Sequence, residues 1–161
     1  EWCYLLGSFG VSVAGREKKI TEMPDSLAYG DIVRQGLPFY AGNLTYQIPF
    51  SCKAGALHIE VPHYRGALVQ VTLDGKKIGN IVLAPYRLDC GRVQEGHHTL
   101  QLKVFGNRIN AFGALHNADS TEEWYGPNLW RTSGNKWSYE YQFKKMGILS
   151  TPQYWIAGND D

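Results

Sequence analysis

Aromatic and polar residues lie together in the longest stretch of this sequence that has no clear periodicity. Trp124-Tyr125 and Trp130-Arg131 flank Gly126-Pro127-Asn128. An aromatic ring offers a flat apolar face to the C–H side of a sugar, and nearby Arg or Asn side chains can fix the sugar's hydroxyls. The candidate carbohydrate-binding residues are therefore Trp124, Tyr125, Asn128, Trp130 and Arg131. The alternative is that these rings cover an open end of the fold or pack on a neighbouring domain, which is the commoner role of tryptophan.

Paired carboxylates are a second residue type that could act on a sugar. A glycosidase needs two carboxyl groups, about 5–5.5 Å apart for retention or about 6.5–9.5 Å apart for inversion. Glu60 and Glu140 are the acids at predicted mid-strand positions. Each lies opposite an apolar stripe, so we expect ordinary surface acids. Glu122-Glu123 fits the first turn of a helix, and we predict no catalytic residue in this chain.

The cysteines offer neither a redox motif nor a zinc site. Cys3, Cys52 and Cys90 are odd in number and form no C-x-x-C pair, so we predict that all three are small apolar fillers. The sequence also contains no G-x-S-x-G nucleophile motif, phosphate loop or dinucleotide fingerprint.

The histidines give no metal-binding pattern. His97 and His98 are adjacent, so on a strand they point to opposite faces and cannot bind one ion together. His116 and Asp119 are only two ligands, too few for a site. We expect His116 to be a hydrogen-bonded core histidine and predict no metal ion or cofactor.

The charge of the chain argues against polyanionic partners. Lys and Arg number 16 against 15 Asp and Glu, and charged residues make up only 19% of the sequence. Basic pairs such as Lys76-Lys77 are spread along the chain, whereas a nucleic-acid groove needs them clustered. No apolar run approaches the eighteen or so residues of a membrane span. We therefore expect neither nucleic acid nor membrane as partner.

Period-two alternation marks most of the chain as strands. Apolar residues alternate with polar ones over 45–50, 57–61, 67–73 and 99–104. Pro49 cannot donate to a ladder, so its strand is predicted to be an edge or bulged. Asp74-Gly75 supplies the positive-φ pair of a two-residue hairpin, and 76–83 is predicted to run back beside its partner.

The last predicted stripe is aromatic. Trp137, Tyr139, Tyr141 and Phe143 alternate with polar residues and are predicted to form a core-facing strand. The sequence contains few helix signals. Ser120 to Glu123 matches a capping box and predicts one helical turn, and residues 23–29 are predicted to form another.

Many short strands with hardly any helix favour an all-β fold, an antiparallel β-sandwich or jelly roll. The 161 residues correspond to one domain, divided into a leading strand and arm (1–35), a sandwich (36–149) and a tail (150–161).

The chain begins with Glu, which suggests a module of a longer multidomain protein. The Asn43-Leu44-Thr45 sequon matters only in a secretory compartment, and the residues leave cytoplasmic and secreted locations open.

Four blocks of the sequence resemble a known family. GLPFYAGNLTY at 36–46, VTLDGKKIG at 71–79, PYRLD at 85–89 and GHHTLQLKV at 96–104 are similar, in order and spacing, to the sugar-binding-type sandwich of family 2 glycoside hydrolases. Asp74 replaces the family's usual Asn in the hairpin, and His98 stands where Asn is common. The flanks, LLGSFG at 5–10 and residues 137–149, are similar to those of bacterial glycosidases that carry such a module.

This resemblance implies a galactose-binding-like sandwich that packs beside a catalytic domain of the same chain and carries no catalytic residue. Such sandwiches often hold a structural calcium, but no Asp- or Asn-rich loop here calls for one. The predicted function is thus a non-catalytic accessory module of a glycoside hydrolase, with carbohydrate as a candidate ligand. Two alternatives stay open: a purely structural or protein-interaction module, and a small glycosidase that uses Glu60 and Glu140.

Overall fold

The computed structural model describes residues 3–119, 121 and 126–157. Within them the secondary structure is almost entirely β. The strands are β1 (Gly10–Ala14), β2 (Glu17–Thr21), β3 (Leu44–Cys52), β4 (Gly55–Glu60), β5 (Tyr64–Arg65), β6 (Leu68–Leu73), β7 (Lys76–Ile81), β8 (Arg87–Val93), β9 (Gly96–Phe105), β10 (Gly147–Ile148) and β11 (Gln153–Ala157). A single-turn helix α1 (Ile109–Phe112) and 3-10 turns at Ile32–Gln35 and Pro127–Leu129 complete the described structure. None of these helices is long and apolar enough to cross a membrane.

The chain divides into two compact units. The first unit comprises the described residues of Glu1–Ala28, Ile32–Ala41 and Arg108–Lys145. The second comprises those of Tyr29–Asp31, Gly42–Asn107 and Met146–Asp161. The division of the sequence into arm, sandwich and tail stays a prediction.

The second unit is the antiparallel β-sandwich. One sheet has the strand order β3-β9-β6-β7, another has the order β11-β4-β8, and β10 pairs with β5. Residues of both larger sheets, such as Leu57 and Ile59 on β4 and Val71 and Leu102 on β6 and β9, belong to one buried hydrophobic cluster. Alternate residues of β4 and β6 are buried, as period-two patterning requires. The predicted fold class is confirmed.

Strand β3 shows how a single residue type constrains its place in a sheet. It is an edge strand that pairs only with β9, and Pro49 lies opposite Thr99. An edge position leaves one side of the strand without a ladder partner, so the missing proline N–H costs no sheet hydrogen bond. The edge placement predicted for Pro49 is confirmed.

The predicted hairpin also forms as expected. Asp74 and Gly75 connect β6 to β7 with φ of 49° and 80°, the left-handed values of a two-residue turn. Strand β7 ends at Ile81, two residues earlier than predicted, and Val82 and Leu83 are exposed. At Gly79 an added Cβ would lie 3.1 Å from Leu88 Cδ1, so the glycine lets Leu88 pack close to the β7 backbone.

The two departures from the family pattern contact each other. His98 Nδ1 donates to Asp74 Oδ2 at 2.7 Å, and His98 Nε2 donates to the Gln94 carbonyl at 3.0 Å. Asp74 Oδ1 also accepts the Thr99 N–H at 2.8 Å. The bond to Asp74 raises the pKa of the His98 imidazole, and the bond from His98 lowers the pKa of the Asp74 carboxyl. The hairpin is thus tied to the start of β9 by a charge-assisted pair.

This pair predicts a pH-dependent stability. Since the His98 pKa rises on folding, its contribution is complete below the ordinary value of 6.5 and is lost as pH rises through the raised pKa. Since the Asp74 pKa falls on folding, its contribution is complete above the ordinary value of 3.8 and is lost as pH falls through the lowered pKa. The pair should therefore stabilise most between these two ordinary values.

Urea unfolding of the wild type and Asp74→Asn measures the effect. The variant keeps an acceptor for the Thr99 N–H, and the difference in unfolding free energy should be at most about 1 kcal/mol larger at pH 5.5 than at pH 9. Asp25→Asn, an exposed aspartate in the first unit, is the control and should give the same difference at both pH values. An Asp74→Asn difference that is equal at the two pH values would contradict the prediction.

The first unit has little regular structure. Strands β1 and β2 form a hairpin whose turn contains Gly15 at a φ of 58°. Its buried apolar residues come from the 3-10 turns and the loops: Ile32, Leu37, Leu115 and Leu129.

The predicted strand over 137–143 is wrong. Apart from an isolated bridge between Trp137 and Asn117, the segment has no ladder. Its backbone instead bonds to residues 115–116: Ser138 N–H donates to the His116 carbonyl, and Gln142 N–H donates to the Leu115 carbonyl. Because these bonds are irregularly spaced, alternate side chains do not share one buried face, and Tyr139 is 55% exposed.

Other predictions have mixed outcomes. The segment 23–29 forms no helical turn, and the capping box lies mostly outside the described residues.

Cys52 and Cys90 pack at the border of the core, and burial raises the pKa of the Cys90 thiol to about 11. Cys3 is exposed, so its predicted role as a filler is wrong. Residues assigned to a tail include β11, which pairs with β4.

Candidate functional site

The predicted carbohydrate loop is described only from Gly126 onward. Trp124 and Tyr125 lie outside the described residues. Pro127–Leu129 forms a 3-10 turn, closed by the Trp130 N–H donating to the Pro127 carbonyl at 3.3 Å. Leu129 is buried and anchors the turn, whereas Asn128 is exposed and Trp130 is 52% exposed. The turn thus presents an indole and a neighbouring amide to solvent from a fixed backbone.

The two carboxylates considered for catalysis belong to different units. Glu60 lies on β4 in the second unit, where its Oε2 accepts from Arg87 Nε at 2.9 Å. Glu140 lies in the first unit and is exposed. It stands in the irregular segment 137–143, so its predicted mid-strand position is wrong.

Each histidine singled out from the sequence has a local hydrogen bond. His116 Nδ1 donates to the Ser138 carbonyl at 2.7 Å, the bond expected for it, although the residue is only half-buried. Asp119 instead pairs with Lys136, which holds the pKa of that carboxyl far below its ordinary value. His97 shares a 2.7 Å hydrogen bond with Ser51 Oγ. The described residues contain no group of three metal-ligating side chains.

A cleft of about 410 Å³ in the first unit was not apparent from the sequence. Strand β1 lines it with Val11, Ser12 and Val13, and the 3-10 turn at 32–35 contributes Val33 and Arg34. The segment 137–143 contributes Glu140, Tyr141 and Phe143. These lining residues come from separate parts of the chain, so no local pattern could have assembled them. The volume lies in the usual range of small-molecule sites, about 300–1,000 Å³.

The aromatic rings of this cleft are held by one another. Phe39 meets Tyr141 and Phe143 edge to face, with ring centres 5.2 and 5.1 Å apart. His116 packs on the Tyr141 ring at 4.9 Å. The stripe predicted to be core is therefore a set of mutually packed rings in which Tyr141 and Phe143 border open space. The alternating spacing of these aromatic residues predicted that they share one surface, but the strand it predicted for them does not form.

A second exposed aromatic surface lies on β11 in the second unit. Trp155, 39% exposed, stacks on His58 of the neighbouring strand with ring centres 5.4 Å apart and an 18° angle between the planes. The Arg87 guanidinium lies 5.6 Å from the Trp155 ring centre and pairs with Glu60. The alternation of Tyr154, Trp155 and Ile156, residue types favoured in strands, was the signal that could have revealed β11.

Comparison with known proteins places the fold. The chain resembles part of a rhamnosidase from Novosphingobium sp. PP1Y, with a TM-score of 0.54 and 19% identity over 91% of this chain. It spans only 14% of that rhamnosidase. It also aligns with part of a GH2 β-galacturonidase from Eisenbergiella tayi, with a TM-score of 0.41 and 22% identity over 73% of this chain and 21% of that one. No family model matches the sequence, and no curated protein matches it.

The likeness to the rhamnosidase concerns the fold. It confirms the expectation, drawn from the four sequence blocks, that this chain folds like a β-sandwich module of a glycoside hydrolase.

Proposed function

We propose that this chain is a non-catalytic accessory module of a glycoside hydrolase, supporting carbohydrate processing by docking onto a catalytic domain of the same protein and by weak carbohydrate binding. The observation that carries the proposal is the fold likeness to 14% of a rhamnosidase chain. A region of that size suits a supporting role better than a catalytic one, and of its two candidate acids Glu60 is already paired with Arg87.

Docking is supported by the outer face of the β11-β4-β8 sheet. Trp155, His58 and the Arg87–Glu60 pair lie together there, with β11 at the sheet edge. Exposed aromatic and arginine side chains are typical of interface centres. The alternative of a purely structural or interaction module uses the same face and differs in predicting no sugar binding.

Carbohydrate binding is proposed at Trp124, Tyr125, Asn128, Trp130 and Arg131. The exposed Trp130 indole on its anchored 3-10 turn supports this, because a rigid ring loses little conformational entropy on binding. Small plant oligosaccharides should bind at millimolar concentration, and Trp130→Ala should weaken their binding about tenfold, which corresponds to about 1.4 kcal/mol.

Calorimetric titration of the intact chain is the measurement. Trp155→Ala is a matched control, because it removes an exposed tryptophan from the other unit and should leave sugar affinity unchanged. No heat with any oligosaccharide would leave only the docking role. Binding that is equal in Trp130→Ala and wild type would remove the loop from the site.

A further inference from the structure

The cleft of the first unit contains two opposite charges that the fold leaves open. Arg34 lies in the 3-10 turn that the fully buried Ile32 anchors, and both Arg34 and Glu140 are exposed. Neither side chain forms an ion pair or hydrogen bond among the described residues. The cleft therefore presents a guanidinium and a carboxylate that are free to bind a ligand.

The Glu140 carboxylate lies beside the β1–β2 turn. Gly15 occupies this turn with a positive φ, and an added Cβ there would lie 3.5 Å from Glu140 Oε1, at ordinary contact distance. Both residues line the cleft, so the turn and the acid border the same open space.

Apolar residues also line the cleft. Pro38, Tyr141 and Phe143 line it, and Phe39 holds both rings. The Lys18 ammonium lies 4.8 Å from the Tyr141 ring centre and covers part of that ring. Pro38 is itself buried, so the half-buried Phe143 is then the aromatic surface left for a ligand.

We infer that this cleft binds a single neutral glycosyl unit. A guanidinium only donates hydrogen bonds and a carboxylate only accepts them, while a sugar hydroxyl does both and can bridge to either group. The C–H face of the sugar would lie on Phe143, as apolar sugar faces lie on aromatic rings. A uronic acid could pair its carboxylate with Arg34, but it would also bring that charge into the cleft with Glu140. The two opposite charges of the lining then give it no net attraction to offset the cost of removing its charge from water, so the site favours neutral sugars.

The inference rests on the proposed function and deepens it by adding a site whose described lining contains none of residues 126–131. Its test is calorimetric titration of the intact chain with methyl glycosides of neutral hexoses and deoxyhexoses, and with the corresponding uronates. Arg34→Gln and Glu140→Gln should each weaken neutral glycoside binding at least about tenfold, since each removes a charged hydrogen-bond partner. Arg108→Gln, an exposed arginine of the same unit outside the cleft lining, should change nothing.

The outcomes separate the two proposals. Neutral glycoside binding that depends on Arg34 and Glu140 but survives Trp130→Ala supports the cleft, even if the loop proves inactive. Oligosaccharide binding that depends on Trp130 and is unchanged in both cleft variants overturns the cleft while the proposed function stands. Uronates that bind tenfold more tightly than neutral glycosides overturn the assignment to neutral sugars. Amide shifts in NMR spectra should fall on Val11, Ser12 and Gly36, which line the cleft; their absence at saturation also overturns it.

Discussion

Replacing Asn110 with alanine is expected to destabilise the first unit by about 2–4 kcal/mol. Asn110 is fully buried, its Nδ2 donates to the Lys144 carbonyl at 2.7 Å, and its Oδ1 accepts the Lys144 N–H at 2.9 Å. The alanine variant removes both bonds and leaves two backbone groups without their partner. Each orphaned group costs about 1–3 kcal/mol when buried, and the exposure of Lys144 moderates the sum.

The consequence should be local as well as energetic. Asn110 acts on the segment that carries Glu140, Tyr141 and Phe143, because it bonds to the backbone directly after them. Hydrogen exchange should therefore accelerate at the Ser138 and Gln142 amides, which bond to residues 115–116. Asn135→Ala, an exposed asparagine of the same unit, is the control and should alter stability by less than about 0.5 kcal/mol. Unchanged exchange at both amides in Asn110→Ala would contradict this role.

Replacing Leu102 with alanine is expected to cost the second unit about 2–5 kcal/mol. Leu102 is fully buried on β9, between β3 and β6, opposite Tyr46 on one side and Val71 on the other. Shortening its isobutyl side chain to a methyl group leaves a cavity that the paired backbones on both sides cannot close. Total stabilities of about 5–15 kcal/mol make this a large fraction.

Urea unfolding followed by far-ultraviolet circular dichroism measures this loss. Gln47→Ala changes an exposed position of β3 in the same sheet and should stay within about 0.5 kcal/mol of wild type. Leu102→Met, which keeps the volume, should lose less than about 1.5 kcal/mol. A loss below 1 kcal/mol in Leu102→Ala would show that the site is not the centre of the sandwich core.

The pairing of Asp74 with His98 illustrates how departures from a family pattern can be related. Each position, taken alone in the sequence, was a substitution for asparagine, and the role of His98 was not apparent. The structure shows the two side chains in contact at 2.7 Å across the hairpin. A carboxylate and an imidazolium here supply the bond that ties the turn to β9.

The sandwich was predictable because its signals are local. The alternation of apolar and polar residues along β4, β6 and β9 predicts which side chains face the core, and the register of these strands follows from it. Asp74-Gly75 sets its turn, and Pro49 excludes an interior strand, each through its own backbone preference. Two of the four family-like blocks, 71–79 and 96–104, fall on the β6–β7 hairpin and on β9.

The candidate sites were less predictable. Trp130 was found because its loop lacks periodicity, but the cleft combines β1, a 3-10 turn and the segment 137–143. The strand β11 and its Trp155 lay in a stretch assigned to a tail. Patterns within a few residues do not predict which distant segments contact each other. The sequence therefore could not predict that Arg34 and Glu140 line the same cleft.

By itself, the sequence determined the strand faces, the hairpin turn and the all-β class, because alternation and turn chemistry act within a few residues. Only the tertiary structure decided the fate of the aromatic stripe at Trp137, Tyr139, Tyr141 and Phe143. Its alternation is that of a strand, yet its backbone bonds to residues 115–116 rather than to a neighbouring strand, and Lys144, the residue after it, bonds to Asn110. A backbone adopts the conformation that satisfies its hydrogen bonds, and those partners lie more than twenty residues away.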